Sequence, residues 1–273
     1  PQNDAPVKLN REGDKWFVQQ EGKKYPADSN VVKSIVQQLG NLETKRYAGK
    51  GEDVWEKYQV NDSLATVVEL NDGKEPLARV YIGRFSYSMP SEQQQQQMMA
   101  QGRQNQPQDM TTFVRLDGEK EVYGVDGFLK MNFNRDADAY RVKTLTSLNR
   151  NDITSATLKM PSGNIELSKS DGNWLVNGMP ADSTKMANYL RKLENIRGSA
   201  FVEESMVAGM EPTHEASFRG NNFLSVDIKA YPVADTNIRY VVNSSQNPSA
   251  YFEGKISSLF DKVFISKEEL LPE

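Results

Sequence analysis

The chain of 273 residues contains no cysteine and a single histidine. Without thiols it can build neither a disulfide framework nor a thiolate zinc site, and it has no cysteine nucleophile. One histidine cannot form a histidine metal cluster within a chain. Charge of one sign is also scarce: 33 Lys and Arg stand against 37 Asp and Glu, a net charge of −4. That balance lacks the clustered cations a nucleic-acid surface needs. No run of about 18 apolar residues occurs, so these residues hold no helical membrane span. What is present is 37% hydrophobic and 26% charged, a polar chain that can still fold.

The positive signal is an internal repeat. GDKWFVQQEGKKYPADSNVVKSIVQQLGNL begins at Gly13, and DGNWLVNGMPADSTKMANYLRKLENI begins at Asp171. Both read as a turn, a Trp-centred strand, Pro-Ala-Asp-Ser and a helix. Trp16 aligns with Trp174, Pro26 with Pro180 and Asp28 with Asp182. Val32, Val36, Leu39 and Leu42 align without a gap to Met186, Leu190, Leu193 and Ile196, a stripe that predicts one buried helix face. Asp28 and Asp182 stand where a helix N-cap belongs, worth about 1 kcal/mol each, and this position favours capping over a catalytic carboxylate pair.

Strands follow each helix. SLATVVELNDG and EPLARVYIGRF meet at Asn71-Asp72-Gly73, and TTFVRLDGEKEVYGVD turns at Asp117-Gly118. HEASFRGNNFLSVDIKAYPVADTNIRYVVNSSQNPSAYF offers the counterpart strands, and AYFEGKISSLFDKVF parallels VYGVDGFLKMNF. The prediction is α+β: two tandem related units, each a helix on an antiparallel sheet, spanning 1–149 and 150–273 with a boundary near Asn149. A Gln-rich stretch, 88–109, interrupts the first unit as an exposed insertion, with a transient helix over 92–101.

No motif selects a catalytic centre. GxSxG, GxxxxGK[ST] and GxGxxG are all missing. His214 follows a proline at a strand start, and Asp136 with Asp138 lack the Gly and closing Glu of a calcium loop. The sequence therefore predicts no catalytic residues, no metal and no cofactor. Trp16 and Trp174 read as equivalent packing residues. Trp55 has no counterpart in the second unit, and together with Arg84 and Tyr87 at the mouth of the insertion it is a candidate binding residue.

These motifs, Gly13-Asp14-Lys15-Trp16, Pro26-Ala27-Asp28, Leu39-Gly40-Asn41-Leu42, Tyr81-Ile82-Gly83-Arg84 and Val122-Tyr123, with Asp171-Gly172-Asn173-Trp174 and Pro180-Ala181-Asp182, resemble the domain of unknown function 4340 family. The resemblance implies a bacterial cell-envelope protein, extracytoplasmic or periplasmic, held by an N-terminal membrane helix or lipid anchor that these residues do not contain. It also implies a neighbourhood of gliding-type ABC transporter components, with an envelope or membrane protein as partner. The expected function is a non-enzymatic binding or scaffold module accessory to transport. The competing expectation is an Asp/Glu-dependent hydrolase or a small-ligand binding protein using a groove between the units.

Overall fold

The computed structural model describes residues 6–73, 75–88, 99–100, 109–255 and 259–273. The chain divides into two compact units between Arg141 and Val142. Antiparallel sheets dominate both, with short helices laid against them, so the fold is α+β.

In the first unit β1 (Lys8–Glu12), β2 (Lys15–Gln20) and β3 (Lys23–Pro26) form a three-stranded sheet in that order. Helix α1 (Ser29–Gly40) follows, and the Asp28 carboxylate accepts the Asn30 N–H at 3.1 Å as its cap. Val18, Ala27, Val32, Ala137 and Tyr140 make a small core there, with Trp16, Val31 and Ile35 packed against it. The expected stripe needs one correction: Val36 is 41% exposed. A three-stranded sheet covers a narrow helix face, and Val31, Val32 and Ile35 fill it. Leu42, beyond the helix, packs into a different cluster.

The chain continues through β4 (Thr44–Lys50), α2 (Glu52–Tyr58), β5 (Thr66–Asp72), β6 (Glu75–Ser88), β7 (Asp109–Leu116) and β8 (Glu121–Asp126). These strands form a five-stranded antiparallel sheet in the order β4-β8-β7-β6-β5. Val80, Ile82, Val114 and Val125 face α3 (Leu129–Phe133), where Leu129 is fully buried. Tyr81, Phe113 and Val122 line the opposite face with Trp55 and Tyr58 of α2. After α3 the Asp136 carboxylate caps a 3-10 turn by accepting the Ala139 N–H, and the Tyr140 carbonyl accepts the Asp28 N–H at 2.8 Å. The unit's last residues are thereby tied to its first helix. Most of the Gln-rich insertion, including the helix expected over 92–101 apart from Met99 and Ala100, lies outside the described residues.

The second unit opens with β9 (Thr144–Ser147), which pairs with β14 (Asn195–Arg197). Between them run β10 (Ile153–Lys159), β11 (Ile165–Ser170), β12 (Asn173–Val176), β13 (Met179–Pro180) and α4 (Ser183–Leu193). Then come β15 (Phe201–Val202), β16 (His214–Gly220), β17 (Val226–Pro232), β18 (Tyr240–Ser244), β19 (Asn247–Glu253) and α5 (Phe260–Val263). Nine of these strands make one sheet, β13-β12-β11-β10-β16-β17-β18-β19-β15. The turn at Asn149 to Asp152 exists, but it joins β9 to β10 inside this unit. Because β9 pairs with β14, the division falls at 141/142 rather than 149/150.

Here the helix stripe behaves as expected. Met186, Leu190, Leu193 and Ile196 are all buried, and the Asp182 carboxylate accepts the Lys185 N–H at 2.8 Å. The Asp182 N–H is bound by the Leu270 carbonyl at 2.8 Å, as Asp28 is by Tyr140. Trp16 and Trp174 are both half-buried, and their carbonyls accept from Ala27 and Ala181 at 2.9 Å.

Candidate functional site

The three candidate binding residues do not converge. Trp55 belongs to the α2 face of the five-stranded sheet, and its indole N–H donates to the Lys120 carbonyl at 2.9 Å. Its ring lies against the guanidinium of Arg115, 4.1 Å from ring centre to carbon, and Tyr81 approaches the same group at 3.9 Å. Arg115 is buried; its Nε–H donates to the Val60 carbonyl at 3.1 Å. Burial pushes the Tyr81 hydroxyl up from its ordinary pKa, with a hydrogen bond to Asp62 adding to it. The cluster ties α2 and the chain after it to the sheet. A cation desolvated against two rings is worth about 2 kcal/mol. Arg115→Lys removes the planar contact and the Nε bond together, so it is expected to lower the first unit's stability by about that amount. A denaturant titration followed by Trp fluorescence reads it.

Arg84 and Tyr87 lie farther along β6, the first within a β-bulge and the second past it. Ile82 pairs with Val114 but Phe85 pairs with Thr112, so three steps on β6 answer two on β7. Without the extra residue, Phe85 and Tyr87 would alternate onto the Tyr81 face. With it they turn to the Ile82 face, beside α3. Thr112 fixes that side: its hydroxyl donates to the Gly127 carbonyl at 2.6 Å and accepts the Leu129 N–H at 3.2 Å. Phe85 packs on Phe128 with ring centres 4.3 Å apart, and Tyr87 lies 6.2 Å from Phe85. Tyr87 pairs in register with Met110.

The outcome is a run of exposed apolar side chains at the base of the insertion. Tyr87 is 62% exposed, and Phe128 and Met110 are also open to solvent. Arg84 stands exposed at the bulge. Of the three candidates, Tyr87 joins this face and Trp55 belongs to the opposite side of the sheet. The sequence reading missed Phe85 and Phe128. Their shared face depends on the bulge, which a two-residue alternation does not reveal, although Gly83 marked it.

Other chemistry-bearing residues have local structural partners. His214 is ringed by Tyr240, Phe260 and Phe264 at 4.9–5.3 Å, and Thr213 Oγ1 lies 2.9 Å from its Nδ1. Burial holds its imidazole below the usual pKa. The unfolded chain takes up a proton near pH 6.5 while the folded one resists it until lower pH. Stability contributed at this site is therefore full above that value and is lost as pH falls. Thermal melts at pH 7.5 and 5.5 are expected to show a smaller drop for His214→Phe than for the natural chain. Asp138 pairs with Arg141 at 3.0 Å. Among the described residues no cluster of three or more His, Asp or Glu is placed to hold a metal. One hollow, of 170 Å³, is lined by Lys185, Tyr189 and Glu269, and another, of 140 Å³, by Thr157, Glu215 and Arg219. Ordinary ligand sites run to about 300–1,000 Å³.

Sheet order and exposed face together define an α+β protein whose most distinctive surface is an aromatic and methionine face. The family model described as Domain of unknown function (DUF4340) matches residues 16–214, and the chain belongs to that family. No curated protein and no solved structure matches it.

Proposed function

We propose that this chain is a non-enzymatic, membrane-tethered module of the cell envelope, built from two tandem copies of one α+β unit, that holds a membrane-protein partner of an ABC-type exporter. The observation that carries the binding role is the face formed by exposed Tyr87 and Met110 on the paired β6 and β7 strands, with half-buried Phe85 and exposed Phe128 beside them. Contiguous apolar surface of this kind, rich in aromatics and Met, suits a protein partner better than water. The cell-envelope location and the transporter partner follow from the family resemblance.

Support for the tandem relation lies in the strand order. In the first unit β4 pairs with β8, followed by β7, β6 and β5; in the second β15 pairs with β19, followed by β18, β17 and β16. Each unit also begins this run with a capped helix after a Trp-bearing hairpin.

Pull-down from native membranes tests the role. The natural chain is expected to recover a transporter subunit or another integral membrane protein. A Tyr87→Ser, Phe128→Ser double variant with an unchanged melting temperature is expected to lose it. Equal recovery by both chains, or recovery of no membrane protein, contradicts the proposal.

A further inference from the structure

The two units end their sheets differently. In the second, both outer strands of the nine-stranded sheet, β13 and β15, are two residues long, which leaves little edge to pair. In the first, β5 is an outer strand of seven residues and β1 one of five. From Thr66 to Leu70 the register with β6 is regular, and the edge TVVEL carries no Pro, Gly or Lys. The opposite outer strand, β4, is guarded in the usual way by two register shifts and by Lys45, Arg46 and Lys50.

The second unit shows what fills the corresponding place. The register puts Thr66, Val68 and Leu70 opposite Ile82, Val80 and Ala78, as His214, Ala216 and Phe218 stand opposite Ala230, Ile228 and Val226. On the other side of β16 lies β10, with Leu158 opposite Ala216 and Ala156 opposite Phe218. The same β10 pairs with β11, the counterpart of β1. It joins the Trp hairpin to the large sheet, and its Ile153, Ala156 and Leu158 belong to a single core that runs from Val176 and Met186 to Phe252. No strand takes this place among the described residues of the first unit, and its cores are separate. One surrounds Val18 and Val32; another surrounds Val80 and Ile82.

We infer that the open edges of β5 and β1 receive an extended strand of this polypeptide itself, the segment that runs into β1. In the second unit β10 immediately precedes β11, and the alignment that carries Trp16 onto Trp174 places the counterpart of β10 at and just ahead of Pro1. The strand pairs antiparallel with both edges. It presents small or branched apolar side chains at alternate positions, beside Val68 and Leu70, as β10 does beside Ala216 and Phe218. The inference rests on the tandem reading. It gives the tether a second role, because the stretch leading to the membrane also closes the first unit's sheet.

Amide hydrogen exchange tests it, comparing residues 1–273 with the chain extended by the natural residues that run into Pro1. Amides of Thr66–Leu70 and Lys8–Glu12 are expected to slow by about tenfold or more in the extended chain. Unchanged exchange overturns the inference. Slowing that appears only with rising protein concentration also overturns it, assigning the edge to a second copy. Thr157→Pro separates this outcome from the tandem reading. If it speeds exchange in β16 while extension leaves β5 unaltered, the units remain equivalent and only the occupant is wrong. If β16 stays protected, the equivalence itself fails.

Discussion

Gly83→Ala is expected to unfold the first unit and leave the second standing. A Cβ at Gly83 would stand 2.1 Å from the Tyr58 carbonyl oxygen, 2.6 Å from a Val60 methyl and 2.9 Å from the Gln59 carbonyl oxygen. Two of these atoms are backbone, in the turn that ends α2, so no side-chain rotation relieves the clash. Relief means lifting α2 from the sheet, which separates Tyr58 from Phe113, now 4.0 Å between ring centres, and Trp55 from Arg115. Overpacking of this kind costs about 3 kcal/mol or more, and the same residue anchors the bulge that turns Phe85 and Tyr87 outward. Limited proteolysis is expected to clear the first unit and spare the second. A variant that melts like the natural chain contradicts the account of α2.

Removing residues 259–273 is expected to abolish folding of the second unit. Leu259, Phe260, Val263, Phe264, Ile265 and Leu270 are all buried in its core. At about 1.5–3 kcal/mol per buried apolar side chain, the loss is on the order of 10 kcal/mol, comparable with the whole stability of an ordinary domain. Polar ties go as well. The Tyr189 hydroxyl, fully buried, loses the Val263 carbonyl at 2.8 Å, and the Asp182 N–H loses Leu270. Lys185 loses the Leu271 carbonyl at 2.9 Å. Circular dichroism of 142–258 beside 142–273 reads the effect, and a cooperative melt in the shorter chain contradicts it.

Local chemistry made much of this fold legible. Proline, a capping Asp and a periodic stripe announced α1 and α4, and Asp117-Gly118 announced the β7–β8 turn, because each signal lies within a few residues. Long-range events left weaker traces. Val36 is exposed because the small sheet beneath α1 is narrow. The division before β9 left no local mark, because pairing of β9 with β14 spans the chain between them. Trp55 was singled out because it is not repeated, yet its partner Arg115 could be found only once β7 lay under α2. Tyr87 stood out by its position at the insertion, while Phe85 meets Phe128 only because a bulge in β6 turns it to that side.

The central claim, that the face around Tyr87 holds a membrane protein, is tested most directly by a photocrosslinking amino acid placed at position 87 in cells. The account predicts one dominant adduct with an integral membrane protein and none from the same group at position 157, on the polar face of β10. Equal adducts from both positions, or none from position 87 in a folded chain, would contradict it.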